Sequence, residues 1–145
     1  MKRIILLVIF AMMMMSPKLH AQVTIQKKVS VECLKSLRMG FVSLYRCNNV
    51  YTLSINSDNQ FDDSFMICLG TGKEAAQESL EALIDVASTI KTGDVIAFND
   101  GDKDFRLHKG TYTGELYFKA DYYAGWGKTS KGELTKLLNH LKKLE

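Results

Sequence analysis

Apolar positions change their spacing along the chain, and the changes divide it into elements. Ile4 to Met15 is an unbroken apolar run of 12 residues. Val23-Thr24-Ile25 starts a strand and Phe41 to Tyr45 forms another, whereas Glu32 to Gly40 has no clean period and is read as loop. Tyr51, Leu53 and Ile55 alternate with Thr52 and Ser54, the pattern of a half-buried strand. Asn56 to Gln60 is turn chemistry, and Phe65 to Leu69 is apolar on both faces, as in a central strand. The spacing then becomes helical: Ala76, Leu80, Leu83, Ala87 and Ile90 share a stripe, with Glu74, Glu78, Glu81 and Asp85 off it. Thr71 to Glu74 fits a capping box that starts this helix, and Gly93 stops it.

Four short strands follow. Val95 to Phe98 and Phe105 to Leu107 flank an Asp-Gly turn signal. Asp100-Gly101 as a two-residue loop would set Phe98 opposite Lys103. A loop over 100–103 sets Phe98 against Phe105 and Ile96 against Leu107, which keeps one face apolar and is preferred. Leu116 and Phe118 alternate with polar neighbours in a third strand, and Tyr122 to Lys128 makes a fourth. Ser130 to Glu133 is a second capping box, opening a helix with Leu134, Leu137, Leu138, Leu141 and Leu144 on one side. The order strands, helix, four strands, helix predicts an α+β fold: one antiparallel sheet with two amphipathic helices on one face.

The first apolar run changes the picture of where this domain works. Lys2 and Arg3 precede it, Ser16 and Pro17 break it, and Leu19-His20-Ala21 ends in a small residue. That is the layout of a signal peptide spanning 1–21, and the run is shorter than the roughly 20 residues a membrane-spanning helix needs. Residues 22–145 then form a single α+β domain that is exported, periplasmic or secreted, with no stable membrane anchor. Gln22 stands where a lipoprotein would carry its acylated cysteine. The leader holds Lys2, Arg3 and Lys18 and no acid, so the remainder balances 16 basic against 16 acidic residues. A neutral body gives no support for a nucleic-acid partner, which shows as clustered Lys/Arg.

Export also frames the three cysteines. Cys33 and Cys47 flank a loop and are the candidate disulfide, with all three thiols reduced as the rival; Cys68 lies in an apolar run, where a thiol acts as a small hydrophobe. Catalytic signals are sparse. Gly70 to Lys73 lacks the spacing of a phosphate loop, and Glu74 stands where that motif needs Ser or Thr. Asp100, Asp102 and Asp104 mimic the start of a calcium loop, but Phe105 and Thr111 occupy the positions that require Gly and Glu. With two histidines beyond the leader, His108 and His140, neither a metal site nor a cofactor is expected. His108 should face outward beside Arg106, and a Cys68/His108 hydrolase is the least favoured reading.

The surface candidate is aromatic. Tyr112, Tyr117, Tyr122, Tyr123 and Trp126 fall within 15 residues, with Gly125 and Gly127 around the tryptophan. Alternation puts Tyr122 and Trp126 on one face and Tyr123 on the other. Tyr117, Tyr123 and Trp126 are the candidate ligand-binding residues, offering flat apolar faces with polar handles to a protein or a glycan, while the reading preferred for the cluster is structural, with some of these rings filling the core and the glycines letting a strand bend. The expected role is a non-enzymatic binding module, with carbohydrate binding as the alternative.

Three stretches resemble small exported proteins of unknown function from Bacteroides-type gut bacteria: Asn59 to Asp63, Leu69 to Glu74 with its helix, and Tyr123 to Gly127. The likeness spans roughly residues 50–144 and implies no activity. The cysteine-bearing part before it departs most, so the likeness implies no disulfide.

Overall fold

The computed structural model describes residues 30–100 and 103–144, so the expected signal peptide over 1–21 and the expected strand at Val23 to Ile25 lie outside the described residues. Strands β1 (Val31–Leu37), β2 (Val42–Cys47), β3 (Val50–Ile55) and β4 (Phe65–Thr71) form one antiparallel sheet in chain order. Helix α1 (Lys73–Thr89) leads to a second antiparallel sheet, β5 (Val95–Asp100), β6 (Lys103–Lys109), β7 (Leu116–Ala120) and β8 (Gly127–Thr129), and helix α2 (Lys131–Lys143) closes the chain. The architecture is α+β in the expected order, with the strands divided between two sheets. The division follows from connectivity: a 17-residue helix separates β4 from β5, so no hairpin joins them. The two helices pack on each other and against the first sheet, α1 on β4 and α2 on β1 and β2.

Local sequence explains most elements. In β5 and β6, Phe98 pairs with Phe105 and Ile96 with Leu107, as the apolar face demands. The ladder runs on to the pair Asp100 and Lys103, inside the expected 100–103 loop. Ser130 caps α2 through its side chain, and Glu133 returns a bond to the Ser130 backbone, so this capping box is complete. The first box is not formed. Thr71 is the last residue of β4, paired with Val50, and Gly72 caps α1 without a side-chain bond, at a φ of 95° that favours glycine. Glu74 still sits in the first turn, where the helix dipole favours an acid.

Three other expectations change. Glu32 to Gly40 is mostly strand β1. Its alternation is hidden because the register shifts between Cys33 and Lys35, a bulge that moves later side chains to the other face. β4 lies at the edge of its sheet: Phe65, Ile67 and Leu69 are buried while Met66 and Cys68 face out. Tyr122 to Lys128 is a loop that becomes strand only at Gly127.

One core joins both sheets and both helices. Leu44, Leu53, Ile55, Phe65 and Leu80 meet Phe105, Phe118, Leu134 and Leu141 in it, all fully or almost fully buried. Each such side chain contributes about 1.5–3 kcal/mol relative to exposure.

Candidate functional site, an aromatic cleft on the second sheet

Strands β6 and β7 send Phe105, Leu107, Leu116 and Phe118 into the core. By alternation their other face carries Arg106, His108, Tyr117 and Lys119, and His108 pairs directly with Tyr117. The loop after β7 turns back over this face and lays Trp126 on it. The Trp126 ring meets His108 edge to face at 5.3 Å between centroids and Tyr117 at 6.3 Å. The Lys119 ammonium lies 5.3 Å from the Trp126 ring centre, a cation–π distance.

Trp126 is held by residues far away in sequence. Its backbone N–H donates to Asp58 Oδ1 at 2.7 Å, and its carbonyl accepts from the Asp58 N–H at 2.9 Å. Asp62 accepts from the Gly125 N–H at 2.6 Å and from the Ser57 hydroxyl at 3.2 Å. From the other side, Lys119 Nζ donates to the carbonyls of Tyr123, Ala124 and Gly125. The Gly125 N–H above all, with the Ala124 N–H, the Ser57 hydroxyl and the field of Lys119, outweighs desolvation and holds the Asp62 carboxyl below its ordinary range.

The glycines around Trp126 are required by close approach. A Cβ on Gly125 would lie 2.3 Å from Ser57 Oγ and 2.5 Å from Asp58 Oδ1. One on Gly127 would lie 2.6 Å from the Phe65 ring. Gly127 also makes an isolated bridge with Ser57, so the two loops meet backbone to backbone. Asn59 to Asp63 and Tyr123 to Gly127 are therefore two sides of one clamp.

The result is a cleft of about 340 Å³ lined by Asp58, His108, Tyr117 and Trp126, with the β6–β7 connection from Lys109 to Thr113 as its far wall. Tyr112, at 98% exposure, stands at the tip of that wall. The half-buried rings offer apolar surface. The Asp58 carboxylate and the threonine hydroxyls offer hydrogen-bonding capacity. Among the described residues no group of three His, Cys, Asp or Glu side chains could hold a metal ion.

Of the three expected ligand residues, Tyr117 and Trp126 come together here and Tyr123 does not. Tyr123 packs edge-on against Phe65 at 4.9 Å between centroids and joins the rim of the core, because the segment is a loop rather than an alternating strand. Burial first, then the charges of its neighbours, raises the Tyr123 phenol above its ordinary value. His108 faces outward as expected, although its place beside Trp126 had no sequence signal. Asp58 was legible only as turn chemistry.

The cysteines lie elsewhere. Cys33 and Cys47 are free thiols on adjacent strands, Cys33 opposite Tyr45 and Cys47 opposite Val31. They are diagonal neighbours, about 7–8 Å apart by ladder geometry. A disulfide needs Cα atoms within about 6.8 Å, so the candidate bridge is not formed in this register. Cys68 is exposed on β4 and borders a crevice with α1, on the other sheet from His108.

Comparison with family models, curated proteins and solved structures returns no match to this chain.

Proposed function

We propose that this chain is an exported, non-enzymatic binding module whose ligand enters the cleft at Trp126. The observation that carries the reading is the contrast between a rigid support and an open surface. Two carboxylates, a lysine and two glycines fix the backbone around Trp126, while its ring stays half-buried on the outer face of a sheet. Packing alone does not require an aromatic ring there, since the core lies on the opposite face. Preorganisation of this kind lowers the entropy cost of binding.

The dimensions favour a small ring over a flat protein surface. About 340 Å³ lies at the lower end of the range for small-ligand clefts. Aromatic rings beside a carboxylate and hydroxyls suit a sugar, whose C–H faces pack on rings and whose hydroxyls donate to Asp58. A glycan is therefore the ligand class supported best, ahead of a protein partner.

The test is chemical-shift mapping of the isotope-labelled protein with a panel of soluble oligosaccharides. Saturable shifts confined to residues 108–117, Asp58 and Trp126 are expected for at least one glycan. Saturable shifts centred on another surface, or none across the panel, would contradict the reading.

A further inference from the structure

The two flanks of α2 meet different surroundings. On one, Lys142 donates to Glu81 of α1 at 2.7 Å. On the other, Asn139 and His140 stand three and four residues after Lys136 and four and three before Lys143, so the four share one side of the helix. That side borders β1, where Lys35 and Leu37 complete a groove of about 310 Å³. Lys35 arrives there because the bulge after Cys33 places it opposite Leu44, a core residue, turning it toward the helix side.

Three lysines and a histidine thus converge on one groove, and among the described residues no carboxylate pairs with any of them. The acids of the two elements that form the groove are committed elsewhere: Glu32 of β1 to Arg46 at 2.6 Å and Glu133 of α2 to Arg38. The helix dipole accounts for cations in the last turn of α2. It accounts neither for Lys136, in the middle of the helix, nor for Lys35, on a strand. Like charges gathered without a counterion repel, and a bound anion removes that repulsion.

We propose that this groove between β1 and α2 is an anion site for a ligand bearing phosphate or sulfate ester groups. Lysines act as point charges toward a tetrahedral oxyanion, the Asn139 amide adds a neutral donor, and Leu37 gives the ester carbon an apolar contact. This site is separate from the aromatic cleft, and neither proposal depends on the other. A soluble ester and a lipid headgroup carry the same chemistry, so the test has two arms.

In the first arm, the isotope-labelled protein is titrated with inorganic pyrophosphate. Saturable shifts at Lys35, Lys136, His140 and Lys143 are expected, weakening as sodium chloride is added. The double substitution Lys136→Gln/Lys143→Gln should lower affinity at least about tenfold, while Lys131→Gln, on the same helix outside the groove, leaves it unchanged. In the second arm, sedimentation with phosphatidylcholine vesicles containing phosphatidic acid is measured with and without pyrophosphate. Vesicle binding that pyrophosphate displaces assigns the ester to a headgroup. Pyrophosphate binding without vesicle binding assigns it to a soluble ligand. Failure of both arms, or affinity untouched by the double substitution, overturns the proposal.

Discussion

Arg38 and Glu133 form a two-point ion pair across 95 positions of sequence: Nε donates to Oε1 at 2.7 Å and Nη2 to Oε2 at 2.5 Å. Glu133 is also the capping-box acid of α2, accepting from the Ser130 N–H at 2.9 Å. One carboxylate thus ties the start of α2 to the turn after β1, where Arg38 and Met39 hold positive φ angles of 51° and 55°. Replacing Glu133 with Ala removes the carboxylate half of the capping box and the ion pair together, while the Ser130 hydroxyl still accepts from the N–H of residue 133. The expected loss is about 1–2 kcal/mol in urea unfolding. Arg38→Ala should cost less, because the cap survives; an equal or larger loss would contradict the shared role.

The clamp around Trp126 makes a steric prediction. Gly125→Ala and Gly127→Ala place a methyl group against backbone-anchored neighbours in one case and the buried Phe65 ring in the other. Each should destabilise the protein by about 1–3 kcal/mol. Gly132→Ala, whose Cβ would meet nothing nearer than 3.9 Å, should be neutral or stabilising. Thermal unfolding of the three variants checks the ranking.

Acid should loosen the same clamp. Asp62 is held below its ordinary value of 3.8 in the folded protein, chiefly by the Gly125 N–H. Burial pushes the Glu133 carboxyl up, but Arg38, the Ser130 N–H and Thr129 outweigh it and hold it below its ordinary value of 4.5. A depressed folded value means stability that is present in full above the unfolded value and lost as pH falls through the folded one. Unfolding midpoints should therefore fall as pH drops below about 4.5, and Asp62→Asn should flatten that slope while leaving the share that Glu133 supplies. An unchanged slope in the variant would contradict the clamp.

The thiols give a chemical check. Cys33 and Cys47 should both react with a thiol reagent in the native protein, and a non-reducing digest should yield no peptide linking them. Isolation of a Cys33–Cys47 peptide would mean that β1 slides on β2 beyond the register seen here.

Much of the fold was legible because its signals are local. The Leu134 to Leu141 stripe, the Ser130 cap and the Phe98–Phe105 register all follow from residues a few positions apart. What was hidden depends on distant partners or on broken periodicity. The bulge beside Cys33 shifts the alternation of β1, so the strand reads as loop. Trp126 owes its position to Asp58 and Asp62, 68 positions from Trp126 and 63 from Gly125, and nothing near Trp126 names them. Tyr123 belongs to the same aromatic cluster in sequence, yet Phe65 captures it for the core. The basic groove was half visible. The cations of α2 could be counted, but their meeting with Lys35 needed the strand that the bulge concealed.

Trp126 is the only tryptophan in the chain, so its emission reports the cleft without labelling. The most direct measurement is acrylamide quenching of that emission with and without the glycan that best shifts the cleft resonances. Partial quenching in the free protein, reduced saturably by the glycan and insensitive to it in Tyr117→Ala, is the expected result. Quenching that no glycan alters would contradict a ligand role for the cleft.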